Sequence, residues 1–550
     1  MKRNKIYFIL SLIAYMVLNI YFTIHNEIHV YGVNTGTIAF ITIAQKYIRG
    51  DLHNAVVGGF TPLSSWLLIP FLKLGIGAIA SLSIVKLLVG LLTLIGVRLL
   101  SYRFEMTDNI RNVVSFTSVP VVLQFTLTEH IPDLLITCAV IYYLAVIFRA
   151  DYPGRAYQGV LCGVIGAIGY FGKSFMFPFF ISHFIMLNIL HYYRTKDKRV
   201  VRNAALGFVL FCIISAPWMI ALSSKYNTIT FDVSGAYNNR IRGPEVPKIN
   251  EYYGWEGWRN YIRMGHPVYD KGFFPPPNDT AISIWEDFTL LTPYLKPWSP
   301  FDSWGNLKYQ LGIMAKNVYY TLGIFETYFS IFSGVIIAGY ILLYLLPVRL
   351  QMFKDHRLYP LLTVLLYCGG YLLVFPNVRY LWVNGILVLL MGGHILNILF
   401  QNAFFIGARR NLLMTFMALS FVLMPIKEVV ATQNADKAFG IFGKTLRVYS
   451  EMAGKKIASN DRFSETLKIL FYSDMNVNYY GQAKKNISDE DLQNELNKHD
   501  IDYYLVWNDS AAAMPQYMSK CREITGGISY KDILSGKVSG LRIYSLKAQK

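Results

Sequence analysis

Runs of about 20 apolar residues, separated by short basic loops, recur along most of this chain and limit what it can fold into. A helix needs about 20 predominantly apolar residues to cross the hydrocarbon core of a bilayer. Such runs stand near residues 6–24, 79–101, 112–128, 133–148, 157–172, 175–192, 204–222, 326–347, 358–375, 380–401 and 411–430, with a further one at 59–76. The expected fold is therefore an α-helical protein that crosses the membrane many times. Charged residues make up 16% of the 550, against about 25% in soluble domains.

The charges also order the spans. A net charge of +18 would suggest nucleic acid in a soluble protein. Here Lys and Arg collect in loops, as they do when cytoplasmic loops fix orientation, and no basic-aromatic nucleic-acid module is present. Basic clusters at Arg98/Arg103/Arg111, Arg149/Arg155, Arg194–Arg202, Arg349/Lys354/Arg357 and Arg409/Arg410 fall in every second loop. Lys2, Arg3 and Lys5 precede a run to about Ile24. That run is long for a signal peptide and lacks a small-residue cleavage site, so it reads as an uncleaved first helix.

The segment from Phe60 to Phe71 is short and flanked by prolines. Reading it as an interfacial or re-entrant helix gives 11 spans, with the N-terminus inside and the C-terminus outside. Thirteen is the alternative if a further crossing lies near 35–48. Residues 26–58 then form an outer loop, in which 37–48 has the apolar spacing of an amphipathic interfacial helix. Five cysteines show no close pairing, and four of them lie in apolar runs where a thiol acts as a small hydrophobe. Neither a disulfide framework nor a zinc site is indicated.

Two outward-facing regions differ in character. Residues 223–320 carry Tyr252-Tyr-Gly-Trp-Glu-Gly-Trp258 and Trp298-Ser-Pro-Phe-Asp-Ser-Trp304. The prolines there predict no long helix, and the aromatics suit a cap or lid that meets headgroups or sugars. Residues 431–550 predict a small soluble α/β domain, with strands at 456–459, 503–507 and 541–546 and helices at 465–472 and 490–499. No Walker or GxGxxG loop occurs.

Ionisable residues at membrane depth are functional candidates by default. Asp133 follows Glu129 at a tight outer turn, where capping of the next helix is an equal reading. Lys173 and Arg379-Tyr380 stand at outer span ends, where snorkelling is the alternative. His266, Trp255, Trp285 and Glu286 are candidates for contacting an acceptor from the lid. Cations at the membrane edge, nearby carboxylates and an aromatic loop fit chemistry on a lipid-linked phosphate.

In this order the parts resemble the membrane glycosyltransferases of the GT-C fold. The branch is the family 39-like one that contains protein O-mannosyltransferases and the aminoarabinose transferase of lipid A. The resemblance covers most of residues 1–430. It rests on the loop 34–59 leading into Phe60-Thr-Pro-Leu-Ser-Ser-Trp66, on Ile131-Pro-Asp-Leu-Leu135, Gly169-Tyr-Phe-Gly-Lys-Ser174 and Val378-Arg-Tyr-Leu-Trp382, and on the aromatic outer loop. It implies a polyprenyl-phosphate sugar as donor, transfer to a protein, lipid or glycan outside the cytoplasm, and a place in the plasma (inner) membrane.

By the same resemblance Asp133 matches an acid of the second outer loop. Lys173 matches a lysine of the donor-phosphate cavity, and Tyr380 sits near a phosphate-contacting tyrosine, beside Arg379. The chain departs from the pattern at Gly36, where relatives place the Asp expected to be the general base, and at Thr61, where some carry Lys. Glu27, Asp51, Glu129 and Asp133 are the carboxylates left for that role. The alternative is a non-catalytic relative that binds a lipid-linked glycan or scaffolds a cell-envelope complex. A divalent metal is left open, and no metal ligand is assigned.

Overall fold

The computed structural model of the chain describes residues 2–127, 131–245, 272–346, 350–431, 437–484, 487–507, 518, 521–524 and 541–547. Helices carry the apolar runs. They are α1 (Lys2–His25), α2 (Thr35–Arg49), α3 (Leu63–Lys73), α4 (Ala78–Ser101), α5 (Asp108–Leu127), α6 (Ile131–Ile147), α7 (Ala156–Gly172), α8 (Met176–Thr195) and α9 (Arg199–Tyr226). They continue with α10 (Trp304–Ile324), α11 (Ser333–Tyr340), α12 (Tyr359–Leu372), α13 (Trp382–Leu399) and α14 (Ala408–Ala431). Among the described residues six helices are long and apolar enough to cross a membrane, and a bent pair raises this to seven; α3, α6 and α7 are shorter apolar helices.

Large apolar side chains lie exposed along α1, α9 and α14, including Val17 (60% exposed), Ile220 (67%) and Leu423 (65%). Water would penalise such surfaces, whereas lipid accepts them, so the chain is a multi-pass membrane protein. Between helices, small residues permit close approach. A Cβ on Gly159 would lie 2.3 Å from the Asn203 carbonyl oxygen, and one on Gly163 would lie 2.2 Å from that of Gly207. The Gly159-x-x-x-Gly163 stripe thus seats α7 directly on α9.

The first outer loop holds α2, close to the expected 37–48. The Asn34 side chain caps it by accepting from the Thr37 N–H at 2.8 Å, and Gly50, at φ +79°, ends it. Residues 37–44 and Lys46 are all buried, so α2 lies within protein and not with one face open to lipid or water. It packs on α3, where the Ser65 hydroxyl donates to the Phe40 carbonyl at 3.0 Å.

The second outer loop differs from expectation at its end. Past Pro300 there is no further proline to stop a helix, and the Ser303 side chain accepts from the Asn306 N–H at 3.1 Å. Helix α10 therefore starts at Trp304, inside the segment read as an irregular loop to 320. It ends in a π-helical turn at Phe325–Phe329, and α11 follows at a bend of 115°. The run at 326–347 is thus the second arm of a broken helix, not a straight span.

After α14 come α15 (Lys437–Leu446), α16 (Phe463–Ser473) and α17 (Asp489–Lys498), with strands β1 (Lys456–Ser459), β2 (Asn478–Gln482), β3 (Tyr503–Trp507), β4 (Arg522–Glu523) and β5 (Leu541–Ser545). The sheet order is β2-β1-β3-β5-β4, with β1 parallel to β2 and β3, and β5 antiparallel to β3. Central β3 is buried at every residue, as a continuously apolar strand should be. Strand β2, unforeseen in the sequence, lies at the sheet edge. There the outer loop pairs with it: the Tyr479 N–H donates to the Ile282 carbonyl at 2.6 Å, and the Phe274 N–H to the Tyr480 carbonyl at 2.8 Å. One apolar core joins Trp507, Ile543 and Tyr479 to Ile284 and Phe288 of the outer loop and to Val33 and Ile38 of the first.

Candidate active site

Asp133 sits in the first turn of α6, 4% exposed. Lys173 is where the chain leaves α7, its backbone turning extended. These two ends meet because Gly172 lacks a side chain: a Cβ there would already touch Leu135 at 3.2 Å. The result is an ion pair, Lys173 Nζ to Asp133 Oδ1 at 2.5 Å. On the other oxygen, Arg379 Nε lies 3.5 Å from Oδ2. Arg379 belongs to the turn Val378–Leu381 ahead of α13, capped by the Asn377 side chain, which accepts from the Arg379 N–H at 3.2 Å.

An aromatic wall completes this cluster. The Lys173 ammonium stands 3.7 Å from the centre of the Tyr380 ring and 5.5 Å from that of Tyr371. Arg379 Nη2 donates to the Tyr380 hydroxyl at 3.1 Å. Tyr371 stacks between Tyr380 (centroids 5.1 Å apart) and Phe175 (4.0 Å). The lysine and arginine side chains keep 21% and 29% exposure, the carboxylate only 6%. Among the described residues two partly exposed cations thus share one buried anion against a ring-lined surface. This arrangement suits a phosphate, which two cations can clamp.

A second cluster forms where the outer loop descends onto α2. Glu286, 3% exposed, pairs with Lys46, 1% exposed, and accepts from the Thr42 hydroxyl at 2.6 Å. Burial pushes the Glu286 carboxyl above its ordinary range, while Lys46 and the two hydrogen bonds pull it down. Its neighbour Asp287 accepts from the Tyr226 hydroxyl, from the Thr289 hydroxyl at 2.6 Å and from the Gly58 N–H at 3.2 Å. Only glycine fits at 58, since a Cβ would lie 2.5 Å from Thr289 Oγ1. Trp285 is half-buried beside Phe288, centroids 5.1 Å apart.

The sequence candidates therefore separate. Asp133, Lys173, Arg379 and Tyr380 come together, whereas Glu286 turns down onto α2. Glu129, Trp255 and His266 lie outside the described residues. Of the other first-loop acids, Glu27 pairs with Lys437 at 2.8 Å. Asp51 caps a short helix through the Asn54 N–H at 3.4 Å. Gly36 occupies the first turn of α2, where a Cβ would press on Asn34 Oδ1 at 3.3 Å and touch the Phe60 ring at 3.9 Å. Among the described residues no three His, Cys, Asp or Glu side chains converge as metal ligands. Sequence reasoning missed Tyr371 and Lys46, while Asp287 stood beside Glu286 as a candidate for binding metal or substrate. A lysine in the otherwise apolar α2 was the one available signal.

These features belong to a polytopic membrane protein with a GT-C-like fold. Its fold is that of ArnT: the structure of ArnT from Cupriavidus metallidurans bound to undecaprenyl phosphate aligns with a TM-score of 0.53 at 13% identity, over 98% of each chain. The apo form of the same protein aligns with a TM-score of 0.44 at 13% identity, over 98% of this chain and 97% of that one. No protein-family model and no curated protein sequence matches the chain.

Proposed function

We propose that the chain is a membrane glycosyltransferase that takes a sugar from a polyprenyl-phosphate donor and passes it to a protein, lipid or glycan acceptor on the extracytoplasmic face. The observation that carries this reading is the shared clamp of Lys173 and Arg379 on Asp133, walled by Tyr380 and Tyr371. The undecaprenyl phosphate in the ArnT structure of like fold supports a lipid-phosphate ligand. Alternation of the basic loops supports 11 crossings with the N-terminus cytoplasmic. Residues 1–430 then form the membrane part, and 431–550 a smaller α/β part outside.

The chemistry follows from competition for the two cations. A donor phosphate entering the clamp displaces Asp133 from Lys173 and Arg379, and the freed carboxylate gains proton affinity. The acceptor hydroxyl attacks the anomeric carbon and its proton passes to Asp133. The C1–O bond to phosphate breaks with its electron pair, leaving polyprenyl phosphate, whose charge the clamp neutralises. Transfer from a polyprenyl-phosphate sugar in proteoliposomes should be abolished by Asp133→Asn and lowered on the order of 10²–10³-fold by Lys173→Ala. Wild-type rates in both variants would remove this site from the reaction.

Gly36 favours a second reading, a non-catalytic protein that holds a lipid-linked glycan. Tight donor binding without turnover on any acceptor extract would support it over transfer.

A further inference from the structure

The helices that carry the Asp133 cluster bear another charged pocket at their opposite ends. Asp133 lies in the first turn of α6, whereas Phe148 of this pocket follows its last residue, about 22 Å away at 1.5 Å per residue. Likewise Arg379 precedes α13 while His394 lies near its far end, and Tyr371 closes α12 while Pro360 opens it. The pocket is a shallow cleft open to solvent, lined by Arg103, Glu105, Tyr340, His356, Arg357 and His394, with Phe104, Phe148 and Pro360 as apolar floor.

Its two arginines are not equivalent. Arg357 is gripped by Asp355 through two nitrogens, at 2.9 and 2.7 Å, and lies over the Tyr344 ring at 5.3 Å. The wall behind it is fixed: His394 bonds the Tyr344 hydroxyl through Nε2 at 2.6 Å and the Glu105 carbonyl through Nδ1 at 3.1 Å. Arg103 donates only its Nε, to the Ala145 carbonyl at 2.8 Å, which sets the plane of the guanidinium. Its two terminal nitrogens make no hydrogen bond or ion pair among the described residues. Asp151, the carboxylate whose charge acts on it, is held by Arg149 at 2.8 Å and Arg155 at 3.0 Å.

A half-buried guanidinium with an oriented, unused fork is the donor set that takes two oxygens of a phosphate. The geometry points to a second, non-catalytic phosphate site at this end of the bundle, in which the Arg103 fork holds the headgroup phosphodiester of an anionic membrane lipid. Three observations favour a lipid over a soluble phosphate compound. The pocket opens among membrane-crossing helices, where basic pockets meet headgroups. Its floor is apolar, and it is too shallow to enclose a whole small-molecule ligand. Glu105, 55% exposed and 3.8 Å from Arg357, adds one negative charge at the rim and so selects a singly charged diester over a doubly charged monoester.

The test uses the full chain in nanodiscs of phosphatidylcholine with graded phosphatidylglycerol, counting retained lipid by native mass spectrometry. Wild type should retain phosphatidylglycerol over phosphatidylcholine. Arg103→Gln should weaken that retention about tenfold, the loss of a charge-assisted pair of bonds. Arg409→Gln, on the exposed first turn of α14 and outside the pocket lining, should leave it unchanged. Glu105→Gln alters only an exposed carboxylate and should strengthen retention, which keeps the test decisive if Arg103→Gln folds poorly. Unchanged retention in Arg103→Gln or Glu105→Gln, or equal retention of the two lipids, would overturn the proposal. So would displacement of the lipid by inorganic phosphate, which would assign the fork to a soluble anion.

Discussion

The Asp133 and Glu286 clusters use the same chemistry, a buried carboxylate against an amine, to different ends. Around Glu286 one cation meets one anion, both almost fully buried, and the Thr42 hydroxyl donates to the second carboxylate oxygen. Around Asp133 two cations meet one anion, and both cations stay partly open. A sealed, neutral pair has nothing left to offer a ligand, so it fixes α2 against the outer loop. An open cluster leaves its cations within reach of a ligand, which is what the proposed function requires of it. Exposure, not residue type, separates the two clusters.

This contrast breaks first on stability. Lys46→Met strands the Glu286 charge in the interior and should cost about 3–5 kcal/mol, whereas Lys46→Met with Glu286→Leu should recover most of it. Chemical denaturation in detergent reads both, and an unaffected single variant would mean that the pair bears no load. Next in size, Lys173→Ala should lower the transfer rate on the order of 10²–10³-fold, as loss of one charge-stabilising donor does, while the melting temperature holds. Melting as severe as that of Lys46→Met would erase the distinction between the clusters.

Smaller effects sharpen it. Tyr380→Phe removes the hydroxyl that accepts from Arg379 and should raise the donor KM roughly tenfold, the worth of a bond to a charged group, with kcat less affected. Gly36→Asp places a carboxylate in the first turn of α2, where the helix dipole favours it by about 0.3–1 kcal/mol. A small rise in stability with faster transfer is expected, and a fall in both would show that position 36 does not face the reacting groups.

Much of this was legible in the sequence, for identifiable reasons. Apolar run length marks helices directly, and Asn34 before α2, like the prolines around α3, acts through local backbone chemistry. Asp133, Lys173 and Arg379 could each be singled out by standing charged at an apolar run's end. Their convergence could not be read, because it depends on α6, α7 and the turn before α13 meeting in space. Glu286 was a candidate from the sequence, but its pairing with Lys46 was opaque for the same reason, at a separation of 240 residues. The broken helix at Phe325–Phe329 was hidden because a π-helical turn leaves the apolar pattern intact while the axis bends. Strand β2 was missed because Tyr479, Tyr480 and Gly481 show no alternation; both sides of that strand are covered.

The central claim is that the Asp133 cluster takes a lipid-linked phosphate, and native mass spectrometry with added polyprenyl phosphate tests it most directly. The account predicts one polyprenyl phosphate retained by the wild-type chain and by Lys46→Met with Glu286→Leu, and none by Lys173→Ala with Arg379→Ala. Equal retention by the Lys173→Ala, Arg379→Ala chain would contradict it.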